Sequence, residues 1–231
     1  MAKRSKLRAY LLLARVSNLP TIWTNVTAAH VVVDASLGTL LTGIVSISLF
    51  YTGGMFLNDA FDASFDAAAR SDRPIPAGDV SRGRVFVIGA LLLTAGEAWL
   101  LAMPHPAPAL AWGAGLAAAI VFYDVKHKGQ SFGPVIMGLC RALVYTTIAA
   151  GVIGTVSMPV VIAAIVMWAY VIGLTQVSKL RGRGYLVPWL IAGICIVDAI
   201  MIAIAGAPMI AALAASGFVL TLLFQRVVPG T

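Results

Sequence analysis

Residues 37–70 read LGTLLTGIVSISLFYTGGMFLNDAFDASFDAAAR. The 21 positions 37–57 carry no charge, and a helix needs roughly 20 apolar residues to cross a hydrocarbon core of about 30 Å. The run then breaks into Asn58, Asp59, Asp62 and Asp66. This is a membrane-spanning helix with an acidic end. Similar runs, bounded by breakers, occupy about 21–33, 85–103, 107–122, 132–153, 159–177, 186–204 and 208–223, giving eight candidate spans with 37–57.

Composition agrees with that pattern. Of 231 residues 60% are hydrophobic and 11% charged, too little polar surface to coat a water-soluble globule of this size. The expected fold is all-α, a polytopic transmembrane bundle in a single domain, with no segment left for a soluble unit. The start, MAKRSKLRAYLLLARVSNLP, has a basic region, but Arg15 interrupts its short apolar run and no small-residue cleavage signal follows. It reads as a retained helix at the membrane surface. Pro20 is expected to kink a helix that begins near Leu7. Cys140 and Cys195 lie in apolar runs without metal-ligand spacing and read as buried thiols.

A formal charge of +7 would suggest nucleic acid in a soluble protein. Here it sorts by side. With the amino terminus in the cytoplasm, fifteen of the sixteen basic residues fall on the cytoplasmic side, and Arg141 alone lies within a span. The far-side connections near Asp34, His105, Thr155 and Ala207 are short and nearly uncharged. Chemistry is therefore expected at the cytoplasmic face.

Asn58, Asp59, Asp62 and Asp66 share a helix arc of about 100°. Carboxylates converging there repel one another unless a cation lies between them, and Mg²⁺ favours oxygen ligands while retaining sites for phosphate. Negative charge at a helix C-terminus opposes the macrodipole, so helix stability does not explain the cluster. Its plain alternative is a solvated helix end balanced by Arg70 and Arg73. Those arginines open RSDRPIPAGD, where Pro74 and Pro76 favour an extended turn, and beside the acids they can contact phosphate oxygens.

NDAFDASFD followed by RSDRPIPAG resembles the first aspartate-rich motif and Arg-Pro loop of the UbiA superfamily of membrane prenyltransferases. ARVSNLPTIWTNV resembles that family's first span, YDVKHK extends the similarity to the end of span four, and HKGQSFGPVIMGLCRALVY resembles the divergent branch called EboC. The resemblance implies eight to nine helices around a central cavity open to lipid. It implies transfer of a prenyl group from a polyprenyl diphosphate to an aromatic or lipid-like acceptor, in an integral protein of a bacterial inner membrane. Asn58, Asp59, Asp62 and Asp66 would hold Mg²⁺, the three aspartates serving catalysis. Arg70, Arg73 and Lys126 would contact diphosphate, and Asn25 would line the cavity.

Tyr123, Phe122 and Trp23 are candidates to face an allylic cation. Arg141 lies inside a span, where a charge is costly and functional by default, and is expected to point at the phosphate. Glu97 and Asp198 can pair, while His30, His105 and His127 are scattered and make no zinc set.

One departure matters. Family members carry a second aspartate-rich motif after span six, where this chain reads QVSKLRGRGYL, without an acid. Lys179, Arg181 and Arg183 are expected either to bind diphosphate in place of a second metal or to serve only as topology signals. The competing function is a non-catalytic isoprenoid or lipid binding protein of a membrane biosynthesis or export pathway.

Overall fold

The structure, a computed structural model, describes residues 4–35, 37–126, 132–180 and 182–230. It is all-helical, with no strand among the described residues. Its helices are α1 (Lys6–Leu13), α2 (Leu19–Val32), α3 (Leu40–Ala69), α4 (Arg82–Trp99), α5 (Pro106–Lys126), α6 (Gly133–Ile153), α7 (Met158–Lys179), α8 (Val187–Ile204) and α9 (Pro208–Gln225). Among the described residues seven of them, α3 to α9, are long and apolar enough to cross a membrane. The protein is an integral membrane protein.

The expected first span is the exception. It is α2, whose 14 residues fall short of the roughly 20 needed to cross unaided. Nor does Pro20 kink one long helix. The break lies upstream, where Arg15 takes a left-handed backbone (φ 43°) and Val16–Asn18 forms a 3-10 turn. Pro20 then falls in the first turn of α2, where its missing N–H is no loss.

The short helix occupies the middle of the bundle. It touches α3, α6, α8 and α9, while the others pack mainly as sequence neighbours around it, α3 with α4, α5 with α6, α6 with α7 and α8 with α9. Ile22, Val26, Ala28 and Ala29 of α2 are buried against Phe50, Tyr145, Ile148 and Ile202. Outside, Leu91, Ile162, Leu213 and many similar side chains are exposed, as lipid-facing surface requires.

α1 lies across the start of the bundle. Ala9 and Leu13 pack with Phe56, Ala60, Val80 and Val85, whereas Leu7 and Leu11 are exposed. A helix thus stands where the sequence leads one to expect it, with one face packed on the bundle.

Without a hydrophobic driving force between helices in lipid, close approach depends on small residues. α3 and α4 meet in this way. A Cβ on Gly53 would lie 2.9 Å from the Gly89 carbonyl oxygen and 2.9 Å from the Leu93 nitrogen, and one on Gly96 would lie 3.0 Å from the Ser46 carbonyl oxygen. Ser46 completes the seam by donating to the Gly96 carbonyl at 2.8 Å. Gly53→Ala therefore forces backbone apart and should lower stability by about 1–3 kcal/mol. Gly83→Ala on the same α4, with nothing within 4 Å, should instead raise it by about 0.5–1 kcal/mol. Thermal unfolding in detergent micelles reads both signs, and equal shifts would refute the seam.

Candidate active site

α3 runs on for 30 residues, so its acidic end reaches past the apolar layer. Asn58, Asp59 and Asp66 are buried and Asp62 is half-buried, all along one face. The carboxylates are drawn together through arginine. Arg73 Nη1 donates to Asp59 Oδ1 at 2.9 Å and also lies 3.6 Å from Asp66 Oδ2. Arg15 Nη2 donates to the same Asp59 oxygen at 3.2 Å and approaches Asn58 Oδ1 at 3.5 Å. A single cationic nitrogen thus already bridges two of the three aspartates.

The elements that bring these groups together are the irregular ones. Arg15 stands at the left-handed break between α1 and α2, and Arg73 stands in the proline-rich loop after α3. That loop is itself pinned: Arg4 donates to the Asp72 carbonyl and lies 3.8 Å from Asp79, and Arg82 Nε donates to the Ala60 carbonyl at 2.8 Å. Together they enclose a vestibule of about 270 Å³ lined by Arg4, Leu12, Arg15, Asp59, Arg70, Asp72, Arg73, Pro74 and Pro229. Asp59 is 5% exposed at its floor.

Two participants escape a reading of the sequence. Arg15 looks like one more positive charge before a span, and only the break in the backbone turns it onto Asp59. Asp124 looks solitary, yet α5 packs beside α3 and Asn58 Nδ2 donates to Asp124 Oδ1 at 3.2 Å. The YDVK stretch held the only signal, since an acid at a helix end repeats the pattern of α3.

Several expected site residues stand elsewhere. Arg70 lines the vestibule, but Lys126 is exposed and absent from its lining, and Tyr123 is half-buried near the end of α5. Lys179 is exposed at the end of α7 and also absent from that lining. Arg181 lies outside the described residues. Phe122 is 48% exposed and stacks on Phe132. Trp23 donates to Ser48 at 3.2 Å and lines an apolar groove of about 370 Å³ between α2, α3 and α4, with Leu19, Ile44, Leu49 and Leu92.

Asn25 does not line a cavity. It is wholly buried, its Nδ2 lying 3.5 Å from Asp198 Oδ1. Asp198 also accepts from Thr24 at 2.6 Å and from Tyr145 at 2.8 Å, so the expected pairing with Glu97 is replaced by neutral donors from α2 and α6. Arg141 donates to the Thr21 hydroxyl at 2.8 Å and the Thr21 carbonyl at 3.1 Å. Those contacts place it with the Asp198 group rather than among the acids of α3.

Oxygen donors on one helix face, with a cation shared between two carboxylates, are a donor set that suits a hard divalent ion. As they stand, among the described residues no three acidic, histidine or cysteine side chains converge closely enough to hold a metal. The arginines occupy the space between them.

A bundle of transmembrane helices with a buried acidic cluster, ringed by arginine at one end, defines an integral membrane protein with a charged site at one end of its helices. The chain belongs to the UbiA prenyltransferase family, whose profile matches residues 17–226. Among curated relatives, digeranylgeranylglyceryl phosphate synthase of Methanopyrus kandleri is 37% identical over 99 residues, covering 41% of this chain and 36% of that protein. Protoheme IX farnesyltransferase of Korarchaeum cryptofilum is 34% identical over 122 residues, covering 52% of this chain and 40% of that one.

In three dimensions a structure from a study of digeranylgeranylglyceryl phosphate synthase in membranes aligns with a TM-score of 0.65 at 19% identity, over 96% of this chain and 94% of the other. A UbiA homolog from Archaeoglobus fulgidus, bound to DMAPP and Mg²⁺, aligns with a TM-score of 0.63 at 15% identity, over 94% and 87%. At those identities the likeness establishes the shared fold.

Asp59 is buried and doubly paired, so removing Arg15 leaves part of its charge uncompensated. Arg15→Ala should lower stability by about 2–4 kcal/mol, and Arg15→Ala combined with Asp59→Asn should recover most of that loss. Melting curves of both proteins in one detergent test this. A double variant no more stable than the single one would show that Arg15 acts through packing instead.

Proposed function

We propose that the protein transfers a prenyl group from a polyprenyl diphosphate to a lipid-like or aromatic acceptor in a Mg²⁺-dependent reaction, with its amino terminus and vestibule on the cytoplasmic side. The single transmembrane domain would serve this one reaction. The observation that carries the reading is Arg73 Nη1 bridging Asp59 and Asp66 in a vestibule ringed by Arg4, Arg15 and Arg70. A site that gathers anionic oxygens and guanidinium groups around one small space is suited to a metal and a diphosphate together.

Asp59, Asp62 and Asp66, with Asn58 and Asp124 beside them, would hold the ion. Mg²⁺ there would neutralise charge developing on the diphosphate leaving group. Arg70 and Arg73 would meet phosphate oxygens from the loop side, and Arg15 from the helix break. Guanidinium suits this task because its planar fork matches two oxygens at once. When the allylic C–O bond breaks, the diphosphate leaves with the electron pair, and these cations stabilise it. The acceptor's nucleophilic atom then forms the new bond to the allylic carbon and gives up its proton.

The apolar groove beside Trp23, about 370 Å³, offers the prenyl chain a surface of its own polarity. The relatives named for glyceryl phosphate lipids favour a lipid-like acceptor over an aromatic one.

The acid-free connection after α7, with Lys179 exposed away from the vestibule, supports a second reading: a non-catalytic isoprenoid or lipid binder of a membrane biosynthesis or export pathway. Diphosphate release separates the two. Wild-type protein in nanodiscs, given labelled geranyl diphosphate, should release diphosphate only with Mg²⁺, and Asp62→Ala should reduce the rate about a hundredfold or more. Tight binding without release across a panel of isoprenyl alcohols, glyceryl phosphate lipids and hydroxybenzoates favours the binder.

A further inference from the structure

Among the described residues Arg141 is the one basic residue in the middle of a span, well inside Gly133–Ile153. A guanidinium at that depth is costly unless an opposite charge answers it. Among the described residues no carboxylate lies within 4 Å of it. Its surroundings are neutral: the Thr21 hydroxyl at 2.8 Å, the Thr21 carbonyl at 3.1 Å, and the face of Tyr51 with its centroid 5.9 Å away. The carboxylate that influences it electrostatically, Asp198, is itself taken up by Thr24, Tyr145 and Asn25.

The side chain is also held in one orientation. Thr21 Oγ1 donates to the Asn18 carbonyl at 2.7 Å, which fixes that hydroxyl as the acceptor for Arg141. Tyr51 is fixed in turn by donating to the Arg15 carbonyl at 3.4 Å. Guanidinium has five N–H donors; two are committed to Thr21, and the remaining three have no hydrogen-bond partner among the described residues. Arg141 is half-buried in mid-helix, and its contacts with the central α2 turn it inward. The contrast with Arg15 and Arg73 is plain, for both of those are tied to Asp59.

We infer that Arg141 holds the anionic headgroup, a phosphate or a carboxylate, of the prenyl acceptor, at a place separate from the acidic vestibule. A preoriented fork over an aromatic face, with donors to spare and no paired carboxylate, is suited to an oxyanion. Two anions would otherwise compete for one site. Placing the acceptor's charge beside Thr21 and Tyr51 keeps it apart from the diphosphate and orients the acceptor across the space between. Assigning this anion to the acceptor rests on the prenyl-transfer reading; the anion site itself does not.

The test uses the whole protein in phosphatidylcholine nanodiscs, with empty nanodiscs as baseline. Three probes share one alkyl chain: dodecyl phosphate, dodecanoate and dodecanol. Arg141→Gln should weaken binding of the preferred anion about tenfold or more, Arg141→Lys should fall between it and wild type, and dodecanol should be unaffected. The better of the two anions in wild type identifies phosphate or carboxylate. Geranyl diphosphate with Mg²⁺ should bind Arg141→Gln within about twofold of wild type, which also shows that the variant is folded.

Equal anion binding by wild type and variant overturns the inference, as does an equal loss for dodecanol, which marks a packing role. Should Arg141→Gln fail to fold, wild type decides alone: saturating geranyl diphosphate with Mg²⁺ should leave anion binding intact, and displacement would place both anions in one site and sink the idea. A wild type that ignores geranyl diphosphate yet binds the anion through Arg141 would defeat the prenyl-transfer reading and keep the anion site.

Discussion

The buried carboxylate of Asp59 is the constraint on which the acidic end of the bundle is built. Left alone at 5% exposure it would be ionised at a large desolvation cost. Arg15 and Arg73 reach the same oxygen from opposite segments, at 3.2 and 2.9 Å. One requires the chain to turn sharply between α1 and α2, where Arg15 adopts φ 43°, a conformation that disfavours an L-residue by roughly 1–2 kcal/mol. The other requires the proline loop to fold back over α3. Both distortions are offset by charge-assisted hydrogen bonds in a place of low dielectric. The acid therefore shapes the vestibule as well as lining it.

Much of this was legible in the sequence, and unevenly so. The spans from α3 onward were visible because lipid demands an unbroken apolar run, and the described helices follow the expected runs closely. The acidic face of α3 was visible because helical periodicity places Asp59, Asp62 and Asp66 together without help from the rest of the fold. Arg15 and Asp124 were not, because their roles depend on a backbone break and on which helices pack side by side. Arg15 leaves no trace in local pattern, and Asp124 leaves only an acid at a helix end. Asn25 misled for the same reason: a polar residue in a span can face a cavity or a buried carboxylate, and only the position of Asp198 on α8 decides between them.

The second acidic motif of the family has no counterpart in this sequence, and the described part of that connection supplies no replacement in space. Lys179 is exposed and does not line the vestibule. Positive charge is concentrated instead around one cavity, lined by Arg4, Arg15, Arg70 and Arg73. Any phosphate drawn into that cavity meets arginines fixed by backbone geometry and by their pairing with acids. Four such cations in about 270 Å³ repel one another strongly at low dielectric, and the neighbouring aspartates are what make their gathering tolerable.

The short central helix shows how the two polar regions are joined. α2 is too short to be held across a bilayer by partition alone, yet it is the element the others surround. Its polar residues, with Asn18 at its cap, tie it to several neighbours. Asn18 donates to the Gly230 carbonyl at 3.0 Å and accepts from Gln225 at 3.1 Å, Thr21 takes Arg141 of α6, and Thr24 and Asn25 reach Asp198 of α8. His30 continues the series, its ring nitrogens lying 3.0 Å from the Val26 carbonyl and 3.2 Å from Thr39. In lipid such interhelical hydrogen bonds average only about 0.6 kcal/mol each, but a set along one stripe fixes rotation and depth as packing by small apolar residues does not. The polar stripe that looks like a liability in a membrane span is thus what lets a 14-residue helix serve as the spine. Thr21 stands in the first turn of α2, close after the break that carries Arg15, so the vestibule and the Arg141 centre both lie at the start of this helix.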